Sequence, residues 1–166
     1  MAGASYLLFR IDDRLLHGQV ALGWGMRLHP AHYLIVDDET AGDPLACSLY
    51  AAAAPEGTDV ACISVAEATA AGFHGPDPES TVLLVRGVEI AARLLRAGIP
   101  GPVNLGGLHL RPGAVERAPA LFLTPEDETT LRTLVQEGFL LSAQDLPTTR
   151  PRPVGTWIHG EGGGAA

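Results

Sequence analysis

The strongest constraint on this chain is a rhythm. A short apolar run is followed by a stretch with helix grammar, and the pair repeats about six times along 166 residues. Residues 6–11 form a near-continuous apolar run broken by Arg10, and residues 33–36, 59–63, 81–85, 102–105, 120–123 and 139–143 read as further short strands. Between them, residues 43–54 open on a capping Asp and stop before Pro55. Ser64 with Glu67 three positions later is a capping box, for a helix running to Gly72. Ile90, Ala91, Leu94 and Leu95 share one helical face that ends near Gly98. Thr124-Pro125 is a cap followed by proline at the first helical position, and that helix runs to Gly138. Residues 18–28 are expected to be helical, although Gly23 and Gly25 weaken the pattern. Strands alternating with helices predict an α/β fold, an open and mostly parallel sheet with helices on both faces in a single domain. Ligands of such sheets bind beyond the carboxyl ends of the strands.

Composition narrows the function classes. The net charge of −8 argues against a general nucleic-acid binder. All 11 basic residues are Arg, so any phosphate clamp must be built from Arg, His and backbone amides. Cys47 and Cys62 lack metal-ligand spacing and read as buried, reduced thiols of a cytoplasmic protein. No apolar run reaches the roughly 18 residues of a membrane span, and no secretory signal is apparent. Residues 1–150 are expected to form the domain, and residues 151–166 a Pro/Gly-rich tail, loose beyond Trp157.

Chemistry concentrates just after the first strand. Arg10, Asp12, Asp13, Arg14 and His17 fall within eight residues, between a buried strand and a helix start. An ordinary surface turn of mixed charge is the plain alternative. The functional reading rests on imidazole, a competent nucleophile towards phosphorus near neutral pH. Phosphoryl transfer needs charge stabilisation at the equatorial oxygens, and the Arg fork supplies it. Amides near Gly18 and Gln19 add donors. No nucleotide loop and no hydrolase elbow is present.

The stretch RIDDRLLHGQV, followed by Trp24, closely resembles the hallmark of IIB components of the mannose/fructose/sorbose family of the bacterial sugar phosphotransferase system. IVDDETAGD, AAPEGTDVACISVAEA, VNLGGLHLRPG and LFLTPEDETTLRTLVQEGF resemble further segments of that family, so the likeness runs over about residues 5–149. The resemblance implies a phosphocarrier, a protein-N(π)-phosphohistidine–sugar phosphotransferase. It would take a phosphoryl group from phospho-IIA and pass it to a sugar held by the membrane components IIC and IID. His17 would carry the group, with Arg14 as its stabilising partner. Arg10, Asp12, Asp13, Gly18 and Gln19 would shape or bind the phosphate. His17 should then be free of a strong salt bridge. No cofactor beyond the transient phosphohistidine and no metal is implied, and nucleic acid is no partner.

Beside the extra glycines of residues 18–28, two departures from the family pattern bear on function. Residues 43–54 contain no basic residue where family members often carry one, and the tail after Pro151 has no evident counterpart. They motivate an alternative, a regulatory phosphohistidine protein that signals to a partner without transport. A plain anion-binding module is a third reading. The chain is expected to be too short to include a IIA domain. Other candidates are weaker. His29 and His32 flank Pro30 and are expected to be surface or cap residues, as is His74 in its Pro/Gly loop. His109 and Arg86 end strands at the ligand-binding edge, and Asp37 and Asp38 are expected to be solvated turn residues.

Overall fold

The computed structural model describes residues 4–159. Its main sheet has seven strands: β1 (Leu8–Asp12), β2 (His32–Val36), β3 (Asp59–Ile63), β4 (Thr81–Val85), β5 (Val103–Gly107), β8 (Leu141–Ala143) and β9 (Arg152–Pro153). Between β5 and β8 in sequence, β6 (Val115–Ala118) and β7 (Leu121–Leu123) form a separate antiparallel hairpin. The order across the main sheet is β3-β2-β4-β1-β5-β8-β9. All neighbours are parallel except β8 and β9. The predicted α/β architecture is therefore the observed one.

The central strands are buried on both faces, and their alternation feeds two cores. Phe9, Ile11, Leu34, Val36, Leu83 and Val85 point into the larger core. There α4 (Val65–Thr69), α5 (Val88–Arg96) and α6 (Pro125–Gln136) supply Val65, Ala91, Leu94, Leu131 and Leu134. Tyr33, Ile35, Val82 and Leu84 face the other way, against Val20, Ala21 and Tyr50. That face is covered by α3 (Pro44–Ala53) and by the segment after β1, a π-helix Gln19–Trp24 that runs into α1 (Gly25–Leu28).

The capping signals act as expected. The Asp43 side chain accepts from the Leu45 amide, and the Ser64/Glu67 and Thr124/Asp127 boxes are both closed. The helix opened by Ser64 ends at Thr69, short of Gly72. The weak glycine-bearing helix is π-helical in its first half, and Gly25 has a packing reason. A Cβ there would lie 2.5 Å from the buried Tyr33 hydroxyl. The sequence pattern lacks three short elements: α2 (Asp38–Ala41), β6 and β9.

Two expectations are corrected. The domain does not end at residue 150, because β9 pairs with β8 while Val154 and Ile158 enter the larger core. Residues 160–166 lie outside the described residues. Cys47 and Cys62 are not free thiols: they form a disulfide, with Cα atoms 6.1 Å apart, that ties α3 to the edge strand β3. α3 has no fully buried residue, and the bond adds a covalent tie to its packing through Tyr50. Closing a loop over a sequence separation of 15 stabilises a fold by about 3 kcal/mol. Thiol titration of the unreduced, denatured protein should find no thiol, and reduction should expose two and lower the melting temperature. Two titratable thiols before reduction would contradict the bond.

Candidate functional site

The site is built around the end of β1. Residues two apart on a strand share a face, so Arg10 and Asp12 lie side by side, both with no exposed side-chain surface. A buried guanidinium must place its donors. Arg10 Nε donates to Asp12 Oδ2 at 3.2 Å and Nη1 to Asn104 Oδ1 at 2.6 Å. Nη1 and Nη2 reach the carbonyls of Gln144 and Asp145 at 2.9 and 3.0 Å. The Trp24 ring lies 5.5 Å from Cζ, and its indole donates to that same Asp145 carbonyl at 3.1 Å. The segment Asn104–Gly107 is shaped by this cation. A Cβ on Gly106 would sit 1.8 Å from Arg10 Cζ, and one on Gly107 would press on the Asp12 carboxylate at 3.3 Å.

Asp12 transmits that anchor to the surface. Oδ1 accepts from the Arg14 amide at 3.1 Å, and Oδ2 lies 3.0 Å from His17 Nε2. Burial alone would raise the Asp12 carboxyl, but the His17 hydrogen bond and the charge of Arg10 outweigh it and hold the group below its usual range. The loop between them is fixed by Leu15, left-handed at φ 56°, and by Leu15 and Leu16, both buried. His17 was expected to be free of a salt bridge, and the structure seats it on Asp12. A carboxylate only accepts, so a neutral ring donates through Nε2–H and leaves the Nδ1 lone pair open. His17 Nδ1 has no hydrogen-bond partner among the described residues. The ring is 16% exposed, enough to be reached from outside.

The predicted residues separate into two groups. His17, Arg14, Gly18 and Gln19 share the surface. Arg14 is exposed and shares only Nη2, with Gln19 Oε1 at 3.2 Å. The space beside Gly18 is open, and among the described residues the Gly18 and Gln19 amides have no acceptor. Arg10 and Asp13 do not belong with them as phosphate ligands. Arg10 is enclosed and its donors are committed, so it acts on Asp12. Asp13 is turned to His109, whose amide and ring Nδ1 take its two oxygens at 2.7 and 2.6 Å.

Asp37 corrects another expectation, being buried and not solvated. It caps α2 and accepts from Arg86 Nε and Nη2 at 3.1 and 3.0 Å, while Arg86 Nη1 reaches the Asp13 carbonyl at 3.2 Å. A cleft of about 400 Å³ opens beside the loop between Asp13, Arg86, Leu108 and Arg111. Its cations are engaged, Arg86 with Asp37 and Arg111 with Asp127, so it is a poor phosphate clamp. His29 and His32 stand at the opposite end of the sheet, around the start of β2, where His32 lies 3.7 Å from Asp59. Sequence reasoning missed Asn104, Gly106 and Trp24 as partners of Arg10. The glycine pair ending a strand was the available signal.

A supported imidazole with an open nitrogen thus stands at the carboxyl edge of a parallel sheet, in the same loop as the exposed Arg14. The family model "PTS system sorbose subfamily IIB component" matches residues 6–162. The chain belongs to this sorbose subfamily of phosphotransferase-system IIB components. It is 32% identical over 137 residues to the sorbose-specific EIIB component of Klebsiella pneumoniae, covering 81% of this chain and 83% of that protein. It is 30% identical over 146 residues to the fructose-specific EIIB component of Bacillus subtilis (strain 168), covering 86% and 88%. The crystal structure of the IIBSor domain of the Klebsiella pneumoniae sorbose permease superposes with a TM-score of 0.78 at 30% identity, over 89% of this chain and 92% of that one. No helix among the described residues is long and apolar enough to cross a membrane.

Two outcomes follow from the buried network. Gly106→Ala should displace Arg10 and cost about 3 kcal/mol or more in urea denaturation; a change within about 0.5 kcal/mol would refute the packing argument. In Asp37, burial raises the carboxyl, and the hydrogen bonds from Arg86 and Thr40 more than reverse this. Folded-state values below the unfolded one, in Asp12 and Asp37 alike, contribute stability that is complete above the unfolded pKa of about 3.9. That stability is lost as the pH falls through the lower folded values. Asp37→Asn should therefore be less stable than the parent at pH 7 and show a shallower acid decline. Parallel acid curves would remove Asp37 from the account.

Proposed function

We propose that this chain is a phosphocarrier, and that His17 is the residue that carries the group. The observation that supports this most is the Asp12–His17 pair. The carboxylate takes Nε2, fixes the tautomer, and leaves Nδ1 as the nucleophile. In the first step Nδ1 attacks the phosphorus of a phosphohistidine on a IIA component. The new N–P bond forms in line as the donor N–P bond breaks. In the second step a hydroxyl of a sugar held by IIC and IID attacks the same phosphorus, its proton is lost, and the His17 N–P bond breaks. Asp12 balances positive charge on the ring in the phosphorylated state, as an orienting carboxylate does beside other reactive imidazoles. Arg14 and the Gly18 and Gln19 amides face the equatorial oxygens. Neither step needs a metal. On this reading the protein works on the cytoplasmic side of the membrane.

The relatives support the partners. The mannose-specific EIIAB component of Escherichia coli (strain K12) is 30% identical over 144 residues, and those residues make up 44% of it. Its name joins A and B components in one chain. A regulatory phosphohistidine protein remains the second reading, because α3 lacks basic residues and presents Leu45 and Leu49 to the surface.

Labelling with a phosphorylated IIA domain of the mannose/sorbose type tests the proposal. His17→Ala should take up no phosphate, and uptake by that variant would refute it. Arg14→Ala should fold normally and accept phosphate about a hundredfold more slowly; an unchanged rate would take Arg14 out of the chemistry.

A further inference from the structure

The reactive loop carries two adjacent carboxylates, and a phosphoryl group arriving at His17 is itself anionic. A carboxylate left uncompensated in the same loop opposes the transfer. Asp12 is compensated by Arg10 beneath it. Asp13, the residue after β1, has no guanidinium on its carboxylate among the described residues. The guanidinium of Arg86 reaches only its carbonyl, and gives its remaining donors to Asp37.

Both oxygens of Asp13 are instead taken by one residue on the segment that continues β5. The His109 amide donates to Oδ2 at 2.7 Å, and ring Nδ1 lies 2.6 Å from Oδ1. Because a carboxylate only accepts, that contact puts a proton on Nδ1. The latch runs in both directions, since the Asp13 amide donates to the Gly107 carbonyl at 2.8 Å. The surroundings are consistent with a clamp. The Arg111 guanidinium rests on the His109 and Phe122 carbonyls and on Asp127, so it does not compete for Asp13. His109 itself is half exposed. Its contacts are those of a group that holds a neighbour in place.

We propose that His109 is a positioning residue for phosphoryl transfer at His17: it clamps Asp13, which fixes the loop between Asp12 and His17 and keeps a second carboxylate from facing the incoming group. The inference rests on the phosphocarrier reading. His109 touches no reacting atom and acts through Asp13 alone.

The test compares the rate of His17 phosphorylation by a phosphorylated IIA domain in the parent and in three variants. His109→Ala should slow transfer about tenfold, the loss of roughly one charge-assisted hydrogen bond. The melting temperature should barely move, because the pair is exposed. The defect should deepen at low ionic strength, where an unmasked carboxylate repels more strongly. His109→Asn, whose amide can donate where Nδ1–H does, should recover most of the rate. Asp13→Asn placed in the His109→Ala background should also recover part of it, by deleting the charge. A clamp that only steadied the fold would give a stability loss and no rescue by Asp13→Asn. A His109→Ala rate within about twofold of the parent, or a defect that neither Asn variant relieves, overturns the proposal. If the parent chain takes no phosphate on His17, the phosphocarrier reading itself falls; if it does and His109→Ala matches it, only the clamp falls.

Discussion

The buried contact between Arg10 and Asp12 is the interaction on which the rest of the site depends. Neither side chain is exposed to solvent, and a guanidinium taken out of water is tolerated only when its donors find acceptors. That requirement reaches far along the chain. It fixes Asn104 as an acceptor, demands glycine at position 106, and turns the Gln144 and Asp145 carbonyls inward. It also seats Trp24 over the cation. Residues from β1, β5, the segment after β8 and the π-helix thus meet at one point. The sheet order places β1 between β4 and β5, so the cation stands near the middle of the sheet's carboxyl edge.

The consequence for chemistry is preorganisation. Asp12 is held ionised below its usual range, and so offers a fixed acceptor to His17. The imidazole is then oriented before any partner arrives, with one nitrogen engaged and the other open. The loop can hold that geometry because Leu15 and Leu16 are driven into the smaller core while the polar residues between them and the strand stay outside. A histidine on a mobile loop would have to be ordered at each encounter, at an entropic cost that this arrangement has already met in folding.

Much of this was legible in the sequence, for identifiable reasons. Apolar runs such as residues 81–85 have few alternatives to a central strand, and the capping residues Asp43, Ser64 and Thr124 mark helix starts by local chemistry alone. The cluster from Arg10 to His17 was visible as a cluster, but the separate duties of its members were not. Arg10 lies within β1 and Arg14 in the turn beyond it, and only the packing of β5 shows that Arg10 is enclosed by Asn104 and Gly106. Asp13 and His109 lie 96 positions apart, so their pairing has no local signal. The same holds for Cys47 and Cys62, which meet only because α3 docks beside β3. β9 escaped notice because a two-residue strand containing proline has almost no pattern of its own.

On the proposed reading, His17 is phosphorylated on the nitrogen that Asp12 leaves open. The direct measurement is nitrogen and phosphorus NMR of the protein after phosphorylation through the phosphoenolpyruvate cascade, with the modified histidine mapped. A single phosphohistidine is expected, at His17, carrying the group on Nδ1, with Nε2 still protonated against Asp12. Phosphate on Nε2, or on any other histidine, would contradict it.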